Sequence, residues 1–348
     1  MASYISFQPL DFFNNILWTG TGSSNSLTGV GFQPDFTWIK GRTAGEDHML
    51  FDSVRGVTKD IHSNVTDAEA TDAQTLTAFD SDGFTVGTAN YVNQNTNTFV
   101  GWNWKAGTAE SGATTGAGTA KTYTASVNTT AGISITKYVG NGTENHTIPH
   151  NLGVAPKVVL VKNLSSTTGW VMLVRGVLAS SNWYLALNST AAQTDAAGAV
   201  FMSNPTSVYF GLGNSTTSNT NDANYIAYCF ADVNGYSKFS NYTGNGNADG
   251  TFVYTGFRPA FVMTKKISGT GNWIMVDSTR NPGNVIGKQV EANQSISEYD
   301  STRIDLLSNG FKCRASGSDA NGSGEDYLYL AFAEFPITSS NSKAVTAR

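Results

Sequence analysis

Cysteine is almost missing from this chain: Cys229 and Cys313 are the only two among 348 residues. Two thiols cannot build the disulfide framework of a small secreted domain. Cys229, inside the apolar run YIAYCFA (225–231), reads as a small buried side chain. Charge is scarce too, at 14% where a globular domain usually carries about a quarter. The formal balance of −5 leaves no basic field and argues against nucleic acid as a partner. No run approaches the ~18 apolar residues of a membrane-spanning helix. The start, MASYISFQPLDFF, lacks the basic region, apolar core and cleavage site of a signal peptide, so a reducing cytoplasm is the expected place of folding. Helical periodicity is also wanting, residues 67–79 being the best short candidate. Of four histidines only His146 and His150 are close, in HTIPH, and with no third ligand they read as a turn and not as zinc ligands. No nucleophile elbow and no phosphate-cradling loop is present.

What is abundant is the vocabulary of strands and turns: 40% hydrophobic residues, 36 glycines and many Asn, Thr and Ser. It is also repeated. GFQPDFTWIK (31–40) returns as GVAPKVVLVK (153–162) and GFRPAFVMTK (256–265). From Pro34, Pro156 and Pro259, the next mark is Lys40, Lys162 and Lys265, six residues on in each copy. Arg55, Arg175 and Arg280 follow at 21, 19 and 21 residues from their prolines. Upstream of each proline lies a small-residue turn, WTGTG (18–22), VGNGT (139–143) or TGNGN (243–247). Each copy closes on an aromatic-rich run, FVGWNWK (99–105), YIAYCFA (225–231) or YLYLAFA (327–333). Constant order at near-constant spacing marks a triplication. It divides the chain into an arm (1–15), repeats at 16–106, 132–232 and 235–336, a Gly/Ala/Thr linker (107–131) and a tail (337–348). Within each copy a stripe of period two recurs (Phe36, Trp38, Lys40; Val158, Leu160, Lys162; Phe261, Met263, Lys265), as in a strand with one face toward a core. The expected fold is all-β, three tandem antiparallel β-sandwiches of the jelly-roll or lectin-like kind.

The repeat marks invite a functional and a structural reading. Proline is tolerated where a strand begins. The lysine at the far end of the strand can lay its stem on the apolar face with its ammonium in water. Asp52 and Asp277, three residues before their arginines, are placed to pair with those lysines across neighbouring strands, Met172 standing at the corresponding place in the middle copy. The marks are therefore read as framework. Trp170 and Trp273 align with each other before the arginine motif, with Met49 at about that place in the first copy. Together with Trp102 and Trp104 they are the aromatic faces available to stack on a sugar ring, core packing being the competing reading. Glycoside hydrolysis needs two carboxylates about 5–10 Å apart, and Glu291, Glu298 and Glu334 stand isolated in one copy. Loops 80–83 and 319–326 carry oxygen ligands of the type Ca²⁺ takes but lack the EF-hand register, so they read as polar turns and no cofactor is expected. The Asn-x-Ser/Thr triplets at Asn141, Asn188 and Asn321 reflect composition and not glycosylation.

The order GNG, P, K, W, DSxRG, DSDGF, WNWKAG resembles a group of proteins encoded by tailed bacteriophages, marine ones especially, described as virion structural or tail-fibre-like. The first copy carries the resemblance most fully, from GFQPDFTWIK through LFDSVRG and FDSDGF to GWNWKAG. It implies a place in the virion, other virion proteins as partners, contact with host-surface glycans and, by analogy with phage projections, a homotrimer. It brings no catalytic residues. The function expected is non-enzymatic adhesion, with a purely architectural role such as capsid decoration second and a polysaccharide depolymerase third.

Overall fold

The computed structural model describes residues 7–335, so the tail expected at 337–348 lies outside the described residues. Apart from a 3₁₀ turn at Pro9–Asp11 and a four-residue helix at Asn90–Asn93, its regular elements are antiparallel strands. Residues 67–79 contain no helix: Ala70–Thr71 and Leu76–Asp80 are strands, because Leu76 buries its side chain in a sandwich core that a surface helix would not reach.

Strand order and register recur along the chain. In the first copy Phe13–Thr19, Thr98–Trp104, Phe36–Gly41 and Met49–Asp52 lie side by side. In the second the same places are held by Ile133–Val139, Asn224–Phe230, Val158–Asn163 and Val171–Val174. In the third they are held by Ser237–Thr243, Asp326–Phe335, Arg258–Lys266 and Trp273–Asp277. Opposite residues correspond: Phe36 faces Trp104, Val158 faces Phe230 and Phe261 faces Phe332. Proline stands two residues before each of these positions, and at Pro259 the strand register shifts on either side, as expected where a ladder donor is missing.

Each of these inner sheets is buried on both faces, which explains why its strands lack polar alternation. One face packs on an outer layer of the same copy. Ile39, Phe51 and Phe99 meet Leu27, Phe84 and Val86 in the first, and Val262, Ile274 and Val276 meet Val253, Ile304 and Phe311 in the third. The other face, bearing the Phe36–Trp38, Val158–Leu160 and Phe261–Met263 stripes, turns inward, and the three faces share one apolar cluster. Phe13, Phe230, Phe261 and Trp104 all contact Phe332 through ring pairs 5.1–6.3 Å apart. A wholly apolar cavity of about 30 Å³ remains between them. The copies therefore form one three-sided prism and not a string of independent sandwiches. A single face of Val158 and Leu160 would leave large apolar area in water if the copies separated.

The segment expected as a linker is folded. Thr108–Ala113 and Thr122–Asn128 pair with each other, and the latter extends the second inner sheet with Tyr123, Ala125 and Val127 buried. Thr115–Gly116 adds to the second outer layer. Its small residues are those a closely paired ribbon accepts, and composition does not separate that ribbon from a flexible tether.

Two ends of the prism differ. At one, the proline end, the entry strands begin beside Pro34, Pro156 and Pro259. At the other, the turn end, lie the small-residue turns. Gly22, Gly142 and Gly246 take φ of 66°, 70° and 66° there, a backbone that strains any residue with a Cβ, and at Gly20, Gly140 and Gly244 a Cβ would run into the carbonyls of Gln94, Thr220 and Gly322, which together account for the recurrent Gly-x-Gly. A buried asparagine fixes each turn. Asn93 Oδ1 accepts from Thr21 N at 2.9 Å, Asn219 Oδ1 from Asn141 N at 2.8 Å and Asn321 Oδ1 from Asn245 N at 3.0 Å. Asn321 Nδ2 also donates to Asn245 Oδ1, Asn247 O and Ala315 O. Asn321→Ala leaves these acceptors dry and is expected to cost roughly 2–3 kcal/mol, read as a lowered urea midpoint at unchanged m. Asn141 and Asn321 are buried in these clamps, so neither sequon offers its amide at the surface.

Candidate functional site

The repeat marks converge at the three seams where one copy meets the next. Lys40, Lys162 and Lys265 are fully buried there, and do not stand at the rim. Lys40 Nζ donates to Ser295 O at 3.0 Å, Lys162 Nζ to Thr66 O at 3.2 Å and Lys265 Nζ to Thr190 O at 3.1 Å. The three acceptors occupy the same place in the third, first and second copies, so the bonds run round the prism in one sense. Each ammonium has a further carbonyl: Glu46 O at 2.6 Å, Asn163 O at 2.8 Å or Lys266 O at 2.7 Å. Burial lowers all three lysines to about 8, with Asp47 and Glu46 opposing the shift at Lys40 and Asp67 at Lys162. The expected pairing with Asp52 and Asp277 does not occur, because the lysines point across the seam and the aspartates point to their own arginines.

A second ring lies beside the first. Trp170 Nε1 donates to His62 O at 2.7 Å and Trp273 Nε1 to Ala186 O at 3.0 Å, both across a seam. The first copy closes the ring with His48, whose Nε2 meets Glu291 O at 3.0 Å. Trp38 Nε1 donates to His48 Nδ1 at 2.9 Å, so the proton sits on Nε2 and the imidazole is neutral, as burial and the nearby Lys40 charge also require. Strand register places His48, and not Met49, opposite Lys40, as Trp170 and Trp273 are opposite Lys162 and Lys265. Trp102, Trp170 and Trp273 are fully enclosed and Trp104 is 3% exposed. None of the four presents a face to a sugar; the interior needs their area.

Aspartate and arginine make a third set. Asp52 Oδ2 accepts from Arg55 Nε and from Tyr228 Oη, the latter at 2.7 Å across the seam. Asp277 Oδ2 accepts from Arg280 Nε and from Trp102 Nε1, the latter at 3.1 Å across another seam. Glu69 and Glu298 reach Arg55 and Arg280, and Glu298 also takes a two-pronged bond from Arg42 at 2.9 Å. At the third seam the register puts Val174 in place of Asp52 and Asp277, and Leu330 in place of Tyr228 and Trp102. Carboxylate and donor are replaced together by apolar residues. Arg175 is consequently not the counterpart of Arg55 and Arg280. It lies two residues early, donates to Pro156 O and Ala155 O, and Val177 holds the corresponding place. Its shorter spacing from Pro156 was the signal.

The other candidates are likewise engaged in holding loops. Glu334 pairs with Arg258, and Glu291 accepts from Tyr299 Oη at 2.5 Å. His146 bonds Asn219 Oδ1 and Thr114 Oγ1, while His150 bonds Thr206 O. Among the described residues no group of His, Cys, Asp and Glu is arranged to hold a metal ion. Loop residue Asp82 accepts from the backbone of Gly29 and Gly31. Cys229 and Cys313 are buried and burial raises both thiols, Cys313 to about 11. Both are expected to stay unreactive toward a thiol reagent at pH 8 until the protein is unfolded, followed as absorbance of the released dye.

One family, described as a domain of unknown function (DUF7483), matches residues 8–336 in a single span. The chain belongs to this family. The DUF7483 span takes in all three copies, as the closed prism requires. No curated protein and no solved structure matches the chain.

The histidine of the Trp ring, the clamp asparagines and the seam carbonyls went unnoticed in the sequence. Carbonyls carry no side-chain signal, and His48 stands where the other copies have Trp, so type matching passes over it. The clamp asparagines could have been found from their constant place six residues before the closing aromatic runs that begin at Phe99, Tyr225 and Tyr327.

Proposed function

We propose that this DUF7483 protein is a non-enzymatic component of a tailed-phage virion surface, a rigid knob that meets the host surface with its turn end. The observation that carries this reading is the use of the repeated lysines, tryptophans, aspartates and arginines in seams, which makes one stiff body from a chain poor in charge. What that body leaves outward at its turn end is mainly Asn, Thr, Ser and Gly, with Glu144, Asp222 and Asp249 among them, on loops fixed by the asparagine clamps, a hydrogen-bonding surface suited to glycans. Several such loop clusters about one axis add weak contacts into avidity. Imaging of intact virions with a labelled copy tests the place; a label absent from the particle ends the proposal. A glycan array with the whole protein tests adhesion.

The architectural reading, capsid decoration included, is favoured by one specific observation: the aromatic faces expected to bind sugars are buried. A label spread over the capsid lattice together with a silent array selects it. Release of oligosaccharides from host polysaccharide would instead select the depolymerase reading.

A further inference from the structure

Of the ten large apolar side chains exposed among the described residues, Leu17, Tyr91, Phe252 and Ile296 lie elsewhere and six gather at one end of the prism. Leu10 and Val57 in the first copy, Val154 and Val208 in the second, and Tyr254 and Val285 in the third are 38–66% exposed. All six lie at the proline end, two per copy, as strand direction shows. Leu10 and Val154 precede the strands that start there, Val57 and Val285 follow the strands that finish there, and Val208 and Tyr254 sit beside the corresponding hairpin ends. The same end is polarised in charge. The first copy carries exposed Asp11 and Asp82 and half-buried Asp80, which accept local bonds from Gln8, from Gly29 and Gly31, and from Thr85, with Lys59 turned to Thr71 and Lys105 lying over the Phe12 ring. Beside the second copy stand Lys157, Arg175 and Lys238, with Asp232 3.7 Å from Lys238. Burial and then the adjacent Arg175 and Lys238 charges lower Lys157, Asp232 opposing them.

We infer that the proline end binds the proline end of a second copy of this chain. A twofold axis perpendicular to the prism axis and passing through the third copy lays the acidic first copy on the basic second copy of the other molecule, twice. It also lays Tyr254 and Val285 on their own equivalents. Charge complementarity thus selects this pairing among the orientations a three-sided end permits, and the apolar pairs supply the area removed from water. Both turn ends remain outward.

Sedimentation equilibrium of the whole protein tests this. The expected result is a dimer of twice 37.0 kDa, weakened by added salt. Lys157→Glu with Lys238→Glu, and separately Asp11→Lys with Asp80→Lys, should each raise the dimer dissociation constant at least tenfold, and mixing the two variants should restore a heterodimer. Tyr254→Asp should weaken association without touching either charge set. Unchanged melting temperatures establish that the variants fold. A monomer at every concentration, a dimer indifferent to all three changes, or charge variants that fail to rescue each other would overturn the inference.

Discussion

Asp277→Ala is expected to lower stability by about 3–5 kcal/mol, because it takes the nearer carboxylate from a buried guanidinium and leaves only Glu298, on Arg280 Nη1, to balance it. Asp277 and Arg280 side chains are both inaccessible, and the carboxylate also accepts from Trp102 and from the backbone of Thr279 and Arg280. The molecule contains its own alternative at the seam where Val174, Val177 and Leu330 stand in these places. Trp102→Leu with Asp277→Val and Arg280→Val copies that apolar solution and should recover much of the loss, since replacing a whole buried ionic set is often neutral. A Trp-to-Leu change leaves a void, so recovery is expected to be incomplete. Urea midpoints of the single and triple variants measure both. A triple variant no more stable than Asp277→Ala would show that the seams are not interchangeable.

Raising the pH from 8 to 9 is expected to stabilise the protein. Lys40, Lys162 and Lys265 have folded pKa values of about 8 against an ordinary 10.5. Between those values the unfolded chain binds more protons than the folded one, so stability rises with pH. The gain is on the order of 1 kcal/mol per lysine per pH unit, roughly 3 kcal/mol for the ring. Cys229, Cys313 and the buried tyrosines act the other way. Their folded values are raised by burial, so their contribution is lost once the unfolded thiols and phenols ionise, above about pH 9–10. Stability should therefore climb from pH 8, turn over above 9, and lose the climb when the three lysines are replaced by methionine. Urea titrations at half-unit steps check the curve; a flat profile from 8 to 9 would mean the ammonium groups are better solvated than their carbonyl cages imply.

The all-β fold, the triplication and the period-two stripe of each entry strand were legible in the sequence, because alternation and spacing are local properties of a strand. Phe36, Trp38 and Lys40 do share a face, and Ile39 does lie opposite. The nature of what covers that face was not legible. A lysine at the end of an apolar stripe reads as snorkelling into water, and only the contact with a carbonyl from another copy, 75 to 255 residues away, buries it. The same holds for the tryptophans, whose rings fill seams that exist only once all three inner sheets have met. Sequence alone determined the strands and their repetition. Tertiary structure decided that three copies close into one prism, since an apolar face records that it must be buried and not which surface will bury it.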